Sequence, residues 1–207
     1  MEPAGAVATA VFVGVWGAGH SLLASDPAKR LARRVFGNSA DRWYRLVYNL
    51  FALLTLLPLG SLMSSFPDQP LYSIQGGWFV AMEAGRALSA LGLIYALFST
   101  GLGDLSGLRQ VGWLPGHSGG TEAGLVTGGL YGWVRHPVYL FSLGLVWLEP
   151  RMTVTRLSLY AALTAYIVIA TFFEERRLVH QFGPAYLEYQ ARVPRLLPIP
   201  PYRRGEG

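Results

Sequence analysis

Ionisable side chains flank two apolar segments in the last third of the chain, where they could form a binding site. Arg135 and His136 directly precede one apolar segment, and Glu174 and Glu175 directly follow the next. Pro137 suits the first turn of a helix, because the amide hydrogen that proline lacks has no helical partner there. The free N–H groups at such a helix start, together with the Arg135 guanidinium, favour a bound carboxylate.

Tyr139 would lie on the same first turn and offers an aromatic face or a hydroxyl. Glu174 and Glu175 supply negative charge that suits an ammonium or a diol. A ligand with both a carboxylate and a cation would satisfy both groups, and a cation can also rest on an aromatic face. Arg-His before a membrane span and Glu-Glu after one are also common interfacial anchors, so spacing alone leaves both interpretations open.

The composition indicates that an integral membrane protein must position these residues. Charged residues make up 14% of the 207 residues, against about 25% in an ordinary soluble domain. A bilayer core about 30 Å thick requires roughly 20 apolar residues in a helix. We therefore predict one all-α domain over residues 1–207, with the fourth and fifth spans forming a helical hairpin. The predicted transmembrane helices cover about 4–24, 46–66, 76–100, 137–148 and 153–173.

The net charge of +5 does not indicate nucleic acid, because the basic residues flank the apolar runs, as topology-setting charges do. The chain has no cysteine, which excludes disulfides, thiolate metal sites and a cysteine nucleophile. His117 has no second histidine at ligand spacing, so we predict no metal site. The glycines of the loop 101–134 do not form the dinucleotide-binding pattern. Glu83 and Arg86, three residues apart, are interpreted as a structural ion pair.

Basic residues set the predicted orientation. Cytoplasmic loops are enriched in Lys and Arg. This rule places the N-terminus outside the cell and the loop 101–134 and tail 174–207 on the cytoplasmic side, and we expect the membrane to be a bacterial inner membrane. This topology brings His20, Arg135 and Glu174 to one leaflet, and ionisable residues at membrane depth indicate function by default. The segment between the first two spans holds the basic residues Lys29, Arg30, Arg33, Arg34, Arg42 and Arg45.

The polar tail contains a second helical pattern. Gly183 followed by Pro184 ends one helix and begins another. Tyr186 and Tyr189 then share a face at a spacing of i, i+3. Two interpretations remain open: a short amphipathic helix on the membrane surface, or a cap over the bound ligand in which Arg192 reaches a phosphate or carboxylate.

The order of these motifs resembles the membrane methyltransferases that include isoprenylcysteine carboxyl methyltransferase and phospholipid methyltransferases. Their pattern is Arg-His-Pro-x-Tyr, a span, Glu-Glu, a segment with Gly and two Tyr, and Val-Pro. A closer resemblance, to the NnrU and methanethiol S-methyltransferase branch, covers nearly the whole chain. It is carried by His20 to Ser25 with Lys29, by Gly107 to Gln110, and by Trp147 to Thr153.

This resemblance implies about five spans and methyl transfer from S-adenosylmethionine to a small or lipophilic acceptor, most simply a thiol such as methanethiol. We predict catalytic roles for Arg135 and Glu174 and a substrate role for Gln110, Phe141 and Trp147. His20 is a candidate catalytic base from its location alone, if it faces the pocket. Many relatives have Gly where this chain has Phe141, whose bulky ring would narrow the space beside the helix; this bears on the shape of the substrate tunnel more than on the cofactor site. The residues implied to bind the cofactor are Arg135, His136, Pro137, Tyr139, Glu174 and Glu175 and, less directly, Tyr186, Tyr189 and Arg192.

Three alternatives stay open at this stage. The acceptor could be a prenylcysteine carboxyl group or a lipid. The chain could instead be a reductase of related architecture that binds NADPH through its arginine-rich tail. It could also be a non-enzymatic NnrU-like factor in nitrogen-oxide metabolism. The other predicted partners are membrane lipids, and we expect no nucleic acid.

Overall fold

Helices account for most of the computed structural model, which describes residues 4–100, 108, 111–112 and 124–199. Most of the predicted loop 101–134, including Gln110 and His117, lies outside the described residues. A 3-10 turn at Gly129–Gly132 precedes the C-terminal helices. In chain order the elements are α1 Ala4–Ala24, α2 Asp26–Phe36, α3 Asn38–Leu56, α4 Pro58–Ser64, β1 Pro70–Ser73, α5 Gly76–Ser99, α6 Pro137–Trp147, β2 Arg151–Thr153, α7 Val154–Phe182 and α8 Pro184–Arg192.

Four helical segments in the described part of the chain are long and apolar enough to cross a membrane. They are α1, the continuous segment Asn38–Ser64 that joins α3 and α4, α5, and α7. These confirm a helical integral membrane protein. The predicted span 137–148 corresponds to α6, which has 11 residues. At 1.5 Å per residue this helix is about 16 Å long, roughly half of the bilayer core.

Two helix boundaries differ from the prediction for local reasons. Helix α3 begins at Asn38, so the polar first turns before Leu46 are already helical. Helix α7 continues past residue 173 to Phe182, since the charged residues after its apolar part are good helix formers. It ends where predicted by the Gly-Pro motif, because Gly183 adopts φ 56°, a region that L side chains rarely enter.

The chain divides into two compact units, the first comprising residues 1–73, 101–122 and 151–166. Within it, the Trp16 indole N–H donates to the Ala52 carbonyl at 3.2 Å, which links α1 to α3. The strands β1 and β2 pair antiparallel. They are a small addition to the all-α expectation. The Asp68 carboxylate accepts from the Thr155 N–H at 3.1 Å and so satisfies a donor in the first turn of α7.

The second unit comprises residues 74–100, 123–150 and 167–207. In it α5 and α6 pack closely through small residues, as membrane helices often do. A β-carbon at Gly92 would lie 2.6 Å from Phe141 Cδ1, and one at Gly144 would lie 3.2 Å from Ser89 Cβ. Phe141 therefore occupies space that the missing side chain of Gly92 leaves open. The ring packs against α5 and fills the space between this helix and α6.

The predicted ion pair between Glu83 and Arg86 is also present in this unit. Arg86 Nη1 lies 2.9 Å from Glu83 Oε1 and 3.5 Å from Glu149 Oε2. Glu149 follows α6, and the Ile74 N–H before α5 donates to the Pro150 carbonyl at 2.8 Å. These contacts join the beginning of α5 to the end of α6, as an antiparallel pair requires.

Candidate functional site

Glu175, on α7, is the centre of a buried polar cluster in the second unit. Its side chain is 4% exposed. Arg135 Nε donates to Glu175 Oε1 at 2.7 Å. Arg195 Nη2 and Gln190 Nε2 donate to Glu175 Oε2 at 2.8 and 3.1 Å. Two guanidinium groups thus share one carboxylate, which leaves the trio with a net positive charge that an anionic ligand group would balance.

Arg135 also fastens the C-terminal tail. Its Nη1 donates to the carbonyls of Gln190 at 3.0 Å and Val193 at 2.5 Å. Its backbone N–H donates to the Pro194 carbonyl at 2.9 Å, and the His136 N–H donates to the Arg195 carbonyl at 3.1 Å. The Arg135 side chain is 9% exposed. Arg135 is therefore engaged by protein groups here, whereas we expected it to meet a ligand carboxylate directly.

His136 lies between two carboxylates at the start of α6. Its Nε2 is 3.3 Å from Glu175 Oε1 and its Nδ1 is 3.5 Å from Glu174 Oε2. The ring stacks on Tyr139, whose hydroxyl donates to Glu174 Oε2 at 3.0 Å. Burial alone would lower the pKa of His136, but hydrogen bonds to both carboxylates and their charges outweigh it and raise the pKa above 6.5.

An open cavity adjoins the Glu175 cluster, with a volume of about 330 Å³. That volume lies near the lower end of the range of small-molecule sites. The Arg195 guanidinium lies over the Phe172 ring, 4.2 Å from its centroid, and its side chain is 34% exposed. Of the two guanidinium groups that hold Glu175, Arg195 is therefore the one better placed to meet a ligand. The lining residues are Phe172, Glu175, Arg176, Val179, Gln190 and Arg195.

The two tail tyrosines pack inside the protein. Tyr186 and Tyr189 are 1% and 3% exposed and form a cluster with Val193. The Tyr189 hydroxyl donates to the Tyr131 carbonyl at 2.6 Å. Burial, followed by the charge of Glu175, raises the pKa of Tyr186 to about 12, so its phenol stays protonated. The tyrosines thus support the helix that carries Gln190.

The other predicted site residues have separate surroundings. Arg192 is exposed and its Nε donates to the Glu188 carbonyl at 3.3 Å. Trp147 is the last residue of α6 and is 40% exposed. Phe141 packs against α5, as described above, and Gln110 lies outside the described residues.

His20 belongs to a cavity of the first unit. That cavity has a volume of about 190 Å³ and lies between α1 and α3. His20 Nε2 is 2.5 Å from the Tyr48 hydroxyl, and the imidazole stacks on Trp16 with 4.9 Å between ring centroids. His20 Nδ1 is buried and has no hydrogen-bond partner among the described residues. One ring nitrogen is therefore held by a tyrosine, while the described residues supply no partner for the other.

Sequence reasoning missed the part of the cluster that the tail supplies. Arg195 directly follows the Val193-Pro194 ending, and Gln190 lies one turn after Tyr186, so both were adjacent to recognised motifs. Their contacts with Glu175 arise because the tail folds back along α7. Phe172 could not be recognised from the sequence, because an apolar residue that lines the cavity looks the same there as one that faces lipid.

The apolar helices and the buried Arg-His-Glu cluster define an integral membrane protein with a charged cluster beside a cavity. The chain is 35% identical to a methanethiol S-methyltransferase of Mycobacterium tuberculosis over 201 residues, which cover 94% of this chain and 78% of that protein. It is 30% identical to one of Crocosphaera subtropica, over 90% of this chain and 72% of that protein. A human protein-S-isoprenylcysteine O-methyltransferase is 35% identical over 81 residues, 36% of this chain and 28% of that protein.

No protein-family model matches the chain, and no solved structure matches it. The extent of the first two similarities shows that the chain belongs to the methanethiol S-methyltransferase family. It is accordingly an enzyme, a methyltransferase of the membrane, and the predicted resemblance is confirmed.

Proposed function

We propose that this protein transfers the methyl group of S-adenosylmethionine to a small thiol, with methanethiol as the first candidate acceptor. The observation that carries the proposal is the buried carboxylate of Glu175 held between Arg135 and Arg195 beside an open cavity. The names of the relatives supply the acceptor, since several are methanethiol S-methyltransferases.

The residues present fit the charge pattern of S-adenosylmethionine. Arg195, exposed to the cavity and paired on one side only, would hold the carboxylate. The Glu174 carboxylate, which is 33% exposed, would meet the ammonium or a ribose hydroxyl. The Phe172 ring offers a face for a cation. When bound, S-adenosylmethionine supplies a methyl group already activated by its sulfonium.

Arg135 and Glu174 are proposed to act at the start of α6. Arg135 fixes the tail against Glu175 and so sets the position of Arg195. Glu174 fixes the ring of Tyr139 through its hydroxyl. Both therefore position groups that would contact the bound molecule, and positioning supplies much of the rate in a simple displacement.

His20 is proposed as the base that takes the thiol proton. Its Nδ1 has no partner in the described part of the chain, and the Tyr48 hydroxyl holds the other ring nitrogen. A neutral imidazole with one unpaired ring nitrogen has the chemistry of a general base. If methyl transfer by His20→Ala matches that of the wild type at every pH, His20 is not the base.

We also propose that the enzyme lies in a bacterial inner membrane with its C-terminal tail in the cytoplasm. The six basic residues between the first and second spans support this orientation. Labelling of single introduced cysteines from either side of sealed vesicles would test it, because the chain has no native cysteine.

Calorimetry on the purified protein tests the cofactor. S-adenosylhomocysteine should bind, and Arg195→Gln should weaken binding by about tenfold, as expected for one lost charge-assisted hydrogen bond. Arg30→Gln, which removes one exposed arginine of the first unit outside the predicted site, is the matched control. Binding of NADPH in place of S-adenosylhomocysteine would refute the proposal in favour of a reductase, and binding of neither would favour a non-enzymatic factor.

A screen of acceptors with methyl-labelled S-adenosylmethionine then identifies the substrate. Methanethiol and other short thiols should accept label, and the product should be a thioether. Transfer only to a prenylcysteine or a lipid amine would contradict the small-thiol assignment while leaving the cofactor assignment intact.

A further inference from the structure

Helix α2 separates its charges from its apolar side chains. Its length of 11 residues corresponds to about 16 Å. Leu31 and Val35 fall on one face at a spacing of i, i+4, and they are 61% and 64% exposed. The opposite face carries the basic residues Lys29, Arg30, Arg33 and Arg34. No residue of α2 is buried by the rest of the described chain.

Two short joints hold α2 at the end of the spans α1 and α3. Ser25 alone separates α1 from α2, and its Oγ accepts from the Ala28 N–H at 3.5 Å. Gly37 alone separates α2 from α3, with φ 59° and its N–H donating to the Arg33 carbonyl at 2.9 Å. Because α1 and α3 are candidate membrane spans, a helix tied to both of their ends lies at the membrane boundary.

The ends of those two spans lie side by side. The Tyr44 hydroxyl near the beginning of α3 donates to the Leu23 carbonyl near the end of α1, at 2.5 Å. Helix α2 therefore leaves and rejoins the same end of the helix pair. This arrangement fixes the position of α2 along the membrane normal relative to the spans, so an apolar face that the described residues leave exposed would meet lipid.

The basic face is only partly neutralised by the protein. Lys29 lies 3.5 Å from Asp26, and Arg33 pairs with Asp41. Arg30 and Arg34 are exposed and have no carboxylate partner among the residues that the structure describes. Their charges are therefore available to anionic phosphate groups, which occur in dense array at the membrane surface.

We propose that α2 is an interfacial helix that seats Leu31 and Val35 in the lipid of the same membrane and binds anionic phospholipid headgroups through Arg30 and Arg34. Charge complementarity and the direct continuity of α2 with two spans select lipid as the occupant. Amphipathic helices with basic polar faces lie in this way, with the apolar side in the headgroup boundary.

Spin labels test the seating of α2, because each introduced cysteine is the only one in the chain. Labels at Leu31→Cys and Val35→Cys, in full-length protein in vesicles, should collide with lipid-soluble oxygen more often than with a water-soluble nickel chelate. Labels at Arg30→Cys and Arg34→Cys should show the reverse. Equal exposure of both faces to the chelate would overturn the proposal, and so would protection of the apolar face from both reagents, which indicates a protein partner or a second copy.

The selection of lipids by the protein tests whether Arg30 and Arg34 bind anionic headgroups. Protein assembled into nanodiscs from equal amounts of phosphatidylglycerol and phosphatidylcholine should retain phosphatidylglycerol preferentially when lipid is limiting. Arg30→Gln combined with Arg34→Gln should lower that enrichment by about twofold. The control, Arg151→Gln combined with Arg156→Gln, removes the same charge beside α7 and should leave it unchanged. Equal loss in both double variants, or in neither, would refute specific binding at α2.

Discussion

Replacement of Glu175 by Gln should destabilise the protein more than any other single isosteric change in the site. The substitution keeps the volume but removes the charge that Arg135, Arg195 and His136 share. The Arg135 side chain is 9% exposed, so water cannot replace the lost carboxylate. Removing one partner of a buried ion pair costs about 3–5 kcal/mol. We expect a loss of that size in the free energy of unfolding.

Thermal unfolding in detergent at neutral pH measures this effect. A chain of about this size loses roughly 2–4 °C of Tm per kcal/mol, so the expected fall is on the order of 10 °C. The matched control is Glu174→Gln, because Glu174 is adjacent and 33% exposed, accepts a hydrogen bond from Tyr139 and lies 3.5 Å from His136 Nδ1. Its expected cost is about 1 kcal/mol. Equal effects of the two substitutions would refute the reasoning that burial of the charge sets the cost.

Three further outcomes follow from other contacts. Gly92→Ala should cost about 1–3 kcal/mol by overpacking against Phe141, and Phe141→Leu in the same chain should recover part of that loss. Burial alone would raise the pKa of Asp68, but hydrogen bonds from Thr153 and Thr155 outweigh it and lower the pKa below 3.8. The stability that Asp68 contributes is therefore present above that pH and is lost on acidification through the folded-state pKa. The stability that His136 contributes depends on pH in the opposite sense, because the folded state raises the pKa of this residue. Its contribution is complete below pH 6.5 and is lost as the pH rises through the folded-state pKa.

Each of these outcomes has a measurement and a contrary result. A double-mutant cycle by thermal unfolding should show coupling between Gly92 and Phe141, and additive effects would contradict direct packing. Asp68→Asn should flatten the fall in Tm below about pH 4, so an unchanged acid slope would rule out Asp68 as its source. His136→Gln should flatten the fall in Tm above about pH 6.5, and a fall that persists in this variant must come from another group.

The membrane spans and the helix break were predictable from local sequence. An apolar run of about 20 residues has few soluble alternatives, and Gly183 with Pro184 constrains the backbone of its own position. The strands β1 and β2 could not be predicted in this way. The residues of β1 are all exposed, and its pairing depends on β2, far away along the chain.

The cluster around Glu175 was predictable in part, for a similar reason. Arg135, His136, Glu174 and Glu175 were recognisable because their types and order form a motif. That Arg135 would bind the tail, and that Arg195 would be the guanidinium beside the cavity, depends on how the last residues fold back onto α7. The spacing of residues along the sequence does not specify that the tail folds back in this way.

The sequence by itself therefore determined that the chain enters the membrane, where its helix α7 ends, and which charged residues accompany the span. Hydropathy, backbone restriction and residue order are local properties, so their effects do not depend on the tertiary structure. Only the tertiary structure decided that Glu175 binds two guanidinium groups and that Phe141 fills the space left by Gly92. Both outcomes depend on distances between segments remote in sequence, which packing alone sets.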